Sequence, residues 1–307
     1  METVIQIHQL SKSFKGVETV SNVNMNVKKG EIYGFLGPNG AGKTTIMKMI
    51  LNLVKPTSGE IKILNQSIST TSYQYLSKIG SIIEYPEFYE RLTAKENLKL
   101  HCEYIGIYEK GAVEEALDIV GLNGVENKKI HEFSLGMKQR LGIARAIVAK
   151  PEILILDEPI NGLDPIGIKD IRELLLHLKE KLGITILISS HIVSEIESIA
   201  DTIGILHHGE LLKEVRMDDI RKENMEYLEI KIDDAKKAIH VLENKLGIRK
   251  YEIVNQHCIR IFEHDISQSQ INKELILNNI AVNGIEKQQQ HLEEYFLNLI
   301  NGGNQIA

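Results

Sequence analysis

The sequence has little cysteine, no excess of positive charge and no long apolar run, and each shortage removes a class of protein. Only Cys102 and Cys258 are present. They lie far apart without metal-ligand spacing, so reduced thiols in a cytosolic protein are the simple expectation. A formal net charge of -6 offers no global basic field of the kind that attracts nucleic acid. No apolar stretch approaches the roughly 18 residues a membrane helix needs, and Met1–Leu10 lacks the apolar segment of a signal peptide. Sustained heptads, repeats at the scale of a folding unit and low-complexity tracts are missing too. What remains is a chain of 307 residues, 43% hydrophobic and 25% charged. That is an ordinary globular balance, with length enough for two domains and a sizeable core.

The first informative segment is Gly37-Pro38-Asn39-Gly40-Ala41-Gly42-Lys43-Thr44-Thr45. Before it, Glu31–Leu36 reads as a buried strand; after it, Thr44–Leu53 has apolar residues at helical spacing. Strand, glycine-rich loop and helix form the context of a phosphate-binding loop, in which backbone N–H groups and a helix N-terminus converge on phosphate oxygens. Lys43 is placed to reach the β- and γ-phosphates of ATP and Thr44 to ligate Mg²⁺. Further along, four apolar residues, Ile153–Leu156, form a short strand ending in Asp157-Glu158-Pro159. An aspartate at such a strand end is placed to hold Mg²⁺ directly or through water. The adjacent Glu158 can orient and polarise the attacking water.

Three more segments complete an ordered set: Ile82–Phe88 (IIEYPEF), Phe133–Arg140 (FSLGMKQR) and Ser189-Ser190-His191, with Asn161–Asp164 (NGLD) between the last carboxylates and the histidine. Leu135–Lys150 reads as a helix capped by Ser134, a second site where a helix N-terminus favours an anion. In this order the set resembles the ATP-binding subunit of an ABC transporter, over about the first two-thirds of the chain. Ser134-Leu135-Gly136 is the family's signature in variant form, with Ser134 and Gly136 retained.

The resemblance implies several roles. Thr45 would bond the α-phosphate. Ser134 and Gly136 would close over the γ-phosphate held by a partner subunit, and His191, after a strand Ile184–Ile188 and before a helix from about Ile192, would contact that phosphate. Asp164 falls in the loop that crosses the dimer interface. Phe14 stands where the family places a ring against adenine, although a core phenylalanine at a strand end is an equal reading. Glu84 takes a place the family usually gives to glutamine, a ligand of Mg²⁺ that couples the nucleotide site to the membrane partner. A carboxylate there binds Mg²⁺ more strongly and repels an uncompensated γ-phosphate. This substitution, and the C-terminal extension, resemble the subfamily of bacitracin-resistance and lantibiotic-immunity exporters.

The expected fold is α/β: a P-loop cassette with a RecA-like core and a helical subdomain at about 86–145, within residues 1–216. Residues 217–307 form a small α+β accessory domain. In the helical insert, Thr93 and Glu96 read as a capping box opening Ala94–Ile105, and Val113–Val120 as a helix ended by Gly121. After Arg216 the patterns read as strand Tyr227–Ile232, helix Ala235–Leu246, strands Lys250–Val254 and Cys258–Phe262, helix Ser267–Leu277, strand Ile280–Ile285 and helix Leu292–Leu299. The first six of these follow the order of a ferredoxin-like unit.

The implied activity is ATP hydrolysis with ATP and Mg²⁺. The implied partners are a second, identical ATPase subunit and a separate membrane permease, which places the chain on the cytoplasmic face of the membrane. Export or clearance of a peptide antibiotic is the leading substrate expectation, beside a lipid, drug or ion exporter. A soluble ABC ATPase acting on ribosomes or DNA, and a ligand-sensing role for the C-terminal unit, are further readings.

Overall fold

The computed structural model describes residues 2–68, 73–223, 226–263 and 266–289. The chain divides into two compact units, Met1–Met217 and Asp218–Ala307. The first opens with two long antiparallel strands, β1 (Thr3–Phe14) and β2 (Val17–Lys28), joined at Lys15 and Gly16. Both turn residues have positive φ, 49° and 84°, as the tightest hairpin turns require. Then come β3 (Ile32–Leu36), α1 (Lys43–Ile50), β4 (Ser58–Ile63), β5 (Gln66–Ser67) and β6 (Ile79–Ile82). Helices α2 (Ala94–Ile105), α3 (Ala112–Ile119) and α4 (Leu135–Ile147) form the insert, and β7 (Ile153–Leu156), α5 (Pro165–Leu182), β8 (Thr185–Ser190), α6 (Val193–Glu197), β9 (Thr202–His207) and β10 (Glu210–Arg216) return to the core.

Two sheets result. The smaller is antiparallel in the order β2-β1-β4-β5, and the larger runs β10-β9-β3-β8-β7-β6. In the larger sheet β9, β3, β8, β7 and β6 are parallel and only β10 reverses. Strands β3, β7 and β8 are buried at every residue, as expected of parallel strands covered on both faces. Helix α1 shares one apolar core with both sheets: Ile46, Met47 and Ile50 pack with Val4, Ile5 and Ile63 on one side and Phe35, Ile155 and Leu187 on the other. The early residues therefore differ from a simple alternation of strand and helix. Their long strands belong to a separate antiparallel layer, and register shifts at several points of the β1–β2 ladder blur the two-residue period that would announce it.

The insert follows local chemistry closely. Thr93 accepts a hydrogen bond from the Glu96 N–H while the Glu96 carboxylate accepts from Thr93 N–H, a complete capping box. Ser134 caps α4 by accepting from Met137 N–H at 3.3 Å.

In the second unit, α7 (Met217–Glu223) leads from the boundary into β11 (Glu226–Ile232), α8 (Ala235–Leu246), β12 (Tyr251–Asn255), β13 (Cys258–Ile261), α9 (Gln268–Leu277) and β14 (Val282–Gln289). The sheet order β12-β13-β11-β14, antiparallel at every pairing, is that of a ferredoxin-like unit. Its core joins Ile230, Ile259 and Ile261 of the sheet to Ala238, Leu242, Ile271 and Leu275 of the helices. The helix expected at Leu292–Leu299 lies outside the described residues.

Strand β6 and helix α4 approach so closely that a Cβ at Gly80 would collide with the carbonyl oxygen of Ala146. Backbone cannot yield there as a flexible side chain would. Gly80→Ala is therefore expected to destabilise the first unit by about 1–3 kcal/mol. Calorimetry should show a lower unfolding midpoint for that unit; an unchanged midpoint would show that this close contact is not made.

Candidate functional site

Four segments meet at the carboxyl ends of neighbouring parallel strands. The loop Gly37–Gly42 leaves β3, Glu84 follows β6, Asp157 and Glu158 follow β7, and His191 follows β8. Register keeps these ends level, with Leu36 opposite Ser190, Leu156 opposite Ile188, and Ile82 opposite Leu156. The crevice beyond the carboxyl ends of parallel strands is where open α/β sheets bind ligands.

The loop after β3 turns tightly on Gly40 and Gly42, at φ 82° and 105°. A Cβ at Gly37 would strike the Leu206 carbonyl oxygen, so glycine there lets the loop lie against β9. Lys43, the first residue of α1, is 5% exposed. Its ammonium donates to the carbonyls of Gly37 and Pro38 at 2.6 and 3.2 Å and lies 3.2 Å from Glu158 Oε1. Thr44 Oγ1 donates to Asp157 Oδ2 at 2.7 Å, and Ser189 Oγ donates to Asp157 Oδ1 at 2.6 Å. Both oxygens of this nearly buried carboxylate thus have a donor. Glu158 has the left-handed φ of 47°, its N–H donates to Ser189 Oγ at 2.9 Å, and its Oε2 lies 2.8 Å from His191 Nδ1. With a carboxylate as partner, Nδ1 is assigned the ring proton.

The turn carrying His191 has its own brace. Ser190 Oγ donates to Glu195 Oε2 at 2.9 Å and accepts from Ile192 N–H at 3.0 Å. Burial pushes the Glu195 carboxyl up, against the hydrogen bond from Ser190 and the nearby His191, which favour the charged form.

Glu84, at φ 64°, accepts from Lys48 Nζ at 2.7 Å. Lys48 stands four residues after Thr44, on the same face of α1. Its hydrogen bond and then its charge hold the Glu84 carboxyl below the usual carboxylate range. The chain after Glu84 fastens onto α4: a Cβ at Gly142 would meet Pro86 at 2.9 Å. Arg145 donates to the Glu87 carbonyl at 2.8 Å and lies 4.8 Å from the Phe88 ring centre. Lys138 pairs with Glu90 at 2.8 Å.

At the other end of α4, Ser134, Gly136 and Asp164 line one cavity of about 390 Å³ together with Arg140 and Gly167. Asp164 caps α5 through Gly167 N–H at 2.8 Å, so its side chain is committed to its own helix. Phe14 ends β1 as a 44% exposed ring with Lys12 Nζ 4.8 Å from its centre. It is not a core residue, and an exposed ring is open to stacking. Thr45 is the third residue of α1.

The donor set suits Mg²⁺. Thr44 and Asp157 offer hard oxygens side by side, the class of ligand that ion takes. Among the described residues no cluster of three or more His, Cys, Asp or Glu could hold a metal; this ion usually takes one or two carboxylates and fills its other positions with phosphate and water.

Ser189, Lys48 and the Ser190–Glu195 brace were not among the residues expected from sequence. Lys48 had a signal in its four-residue spacing from Thr44. Ser189 had only the oddity of a polar residue ending a buried apolar strand.

A model of the ABC transporter family matches residues 20–161. The chain is 56% identical over 304 residues to the ABC transporter ATP-binding protein YcbN of Bacillus subtilis (strain 168), covering 99% of each. It is 48% identical over 303 residues to the bacitracin transport ATP-binding protein BcrA of Bacillus licheniformis, again 99% of each. To the lantibiotic transport ATP-binding protein SrtF of Streptococcus pyogenes it is 45% identical over 225 residues, 73% of this chain and 95% of that one. Among solved structures, a dimeric ATP-binding cassette in a post-hydrolysis state with ADP and phosphate superposes with a TM-score of 0.62 at 28% identity, covering 69% of this chain and 98% of that one.

The Lys48–Glu84 pair generates a testable expectation. Removing the ammonium leaves the Glu84 carboxylate without its counter-charge, so Lys48→Met should weaken ATP binding measured without Mg²⁺ several-fold when residue 84 is glutamate. In the Glu84→Gln background the same substitution should have little effect. Titration calorimetry of the four proteins checks this, and equal losses in both backgrounds would show the two residues to be independent.

Proposed function

The chain belongs to the ATP-binding subunits of ABC transporters, and on that premise we propose how its residues work and what the transporter handles. The N–H groups of the loop after β3 and the N-terminus of α1 hold the phosphates of ATP. Lys43 supplies their counter-charge, and Thr44 and Asp157 would hold Mg²⁺, with Glu84 joining them on release from Lys48. An ion held there would supply positive charge against the negative charge that develops on the phosphates during transfer. Phosphates compete with Glu158 for Lys43, because the ammonium that now sits 3.2 Å from Glu158 Oε1 is the one they need. Nucleotide binding therefore frees that oxygen to take a proton from, and aim, the attacking water. His191 keeps the other carboxylate oxygen fixed. Phe14 is assigned to the adenine ring and Thr45 to the α-phosphate.

The observation that carries the hydrolytic reading is the convergence of Lys43, Thr44, Asp157, Glu158 and His191 on one crevice, within 3.2 Å of their partners. The signature residues Ser134 and Gly136 line a different cavity with Asp164. A two-fold dimer, in which each subunit's signature completes its partner's nucleotide site, unites the two sets. The dimeric cassette with ADP and phosphate supports this arrangement. The proposed assembly is a homodimer on the cytoplasmic face of the membrane, bound to a separate permease. No helix among the described residues is long and apolar enough to cross a membrane. The segment from Glu84 to Glu90, fastened to α4 at Pro86, Glu87 and Glu90, is suited to pass movement between nucleotide and permease.

For substrate we propose a peptide antibiotic, exported or cleared from the membrane, and of the two kinds bacitracin before a lantibiotic. Similarity to the bacitracin transport protein runs through both units, whereas that to the lantibiotic transport protein spans 225 residues.

Two predictions follow from this reading. Glu158→Gln should bind ATP with near-normal affinity, lose on the order of a hundredfold or more in kcat, and accumulate as dimers with ATP and Mg²⁺. Lys43→Ala should instead lose nucleotide affinity. Sedimentation and titration calorimetry distinguish them, and a Glu158→Gln protein that stays monomeric with ATP contradicts the dimer. Expressed with its permease in a susceptible bacterium, the parent should raise the inhibitory concentration of bacitracin at least several-fold, and Glu158→Gln should not. No change for bacitracin or lantibiotics would redirect the search to lipid, drug or ion substrates.

A further inference from the structure

Strand β8 is an apolar run that ends on two serines, both fully enclosed: Ser189 has no exposed surface and Ser190 is 1% exposed. Ser189 stands at the meeting point of the two acidic residues of the site, although it is 31 and 32 residues from them in sequence. Its hydroxyl donates its one proton to Asp157 Oδ1 at 2.6 Å and accepts the N–H of Glu158 at 2.9 Å. A hydroxyl can do both at once; an aliphatic side chain can do neither.

The Glu158 N–H needs that acceptor for a reason visible in the backbone. Glu158 adopts φ 47°, a conformation disfavoured for a residue with a Cβ and held only where the surroundings determine it. Asp157 N–H is already committed to the Ile82 carbonyl at 2.9 Å, so β6 fixes one side of the turn and Ser189 the other. On the Asp157 carboxylate the two hydroxyls divide the work, Thr44 taking Oδ2 and Ser189 taking Oδ1.

We propose that Ser189 is a positioning residue that sets the carboxylate plane of Asp157 and the left-handed turn of Glu158 with one hydroxyl, and so fixes the metal ligand relative to the residue that handles water. The inference rests on the roles proposed above for Asp157 and Glu158. It adds that those roles depend on a third side chain on the neighbouring strand. Because Ser189 is fully enclosed and bonded to the protein's own acidic pair, its loss should be felt through Mg²⁺ and through turnover, and not through the metal-free affinity for ATP.

Ser189→Ala, Ser189→Thr and Ser189→Val test this in the full chain. Threonine and valine have nearly the same shape, so their difference isolates the hydroxyl. Expected for alanine and valine are an approximately tenfold rise in the Mg²⁺ concentration needed for half-maximal ATP binding, read by titration calorimetry, and a fall in kcat of tenfold or more. ATP binding in EDTA should be unchanged, and threonine should restore both quantities to within about threefold of the parent. If valine and threonine behave alike, or if alanine matches the parent in Mg²⁺ dependence and kcat, the proposal is overturned. Equal loss of ATP binding with and without Mg²⁺ would overturn it too, by revealing a merely structural role. Glu158→Gln measured alongside separates the two levels: if it hydrolyses ATP normally, the underlying assignment of the acidic pair is wrong. If it is inactive while Ser189→Ala is normal, only the role of Ser189 falls.

Discussion

Two negative charges sit side by side at the end of a buried strand, and much of the first unit is arranged to keep them there. Asp157 is 5% exposed, and an ionised carboxylate without partners in such a place costs far more than a folded protein can spare. Thr44 and Ser189 satisfy Asp157; Lys43 and His191 flank Glu158. These partners come from the ends of β3 and β8 and the acids from the end of β7, so the charges are tolerable only when the three strands are in register. Removing one partner of a buried charged pair costs about 3–5 kcal/mol, which ties the integrity of the sheet to the integrity of the site. Two of these partners, Lys43 and Thr44, are also the groups proposed to meet phosphate and metal, so on that reading ATP displaces their resting contacts.

Glu84 extends this logic to the edge of the site. Glutamine would make no demand for a counter-charge, whereas glutamate does, and Lys48 meets it at 2.7 Å. Both are partly exposed, so the pair is weak and easily exchanged. Weakness is useful at a joint that has to change partners. The chain beyond it is held more firmly, by Pro86 against Gly142, by Arg145 on the Glu87 carbonyl and by Lys138 on Glu90. In the coupling role proposed for this segment, a shift at Glu84 would be passed to α4, which has Ser134 as its N-cap.

The phosphate loop, the two acidic residues after β7, the cap at Thr93 and the βαββαβ order of the second unit were legible in the sequence because each is dictated locally. A loop that bends around phosphate needs Gly40 and Gly42 where they stand; a helix that begins at Ala94 needs a cap at residue 93. Other features depend on which distant strands become neighbours. Nothing near Ser189 says that Asp157 will lie beside it until β7 pairs with β8, and nothing near Lys48 says that residue 84 will return to the flank of α1. The antiparallel layer of β1 and β2 was hidden for a different reason, since its register shifts interrupt the alternation by which strands are recognised. Lys15-Gly16, with both residues at positive φ, was the local sign that a hairpin turned there.

The two relatives named for antibiotic transport differ in how much of this chain they match. The lantibiotic transport protein aligns over 225 residues that make up 95% of its length and 73% of this chain. The bacitracin transport protein aligns over 303 residues, which takes in β11 to β14 and their helices. The residues proposed to bind phosphate and handle water all precede Met217, and the second unit has a hydrophobic core of its own, built from Ile230, Ile259, Leu242 and Ile271. With an apolar core of its own, the second unit can change in sequence without altering the packing around α1 in the first.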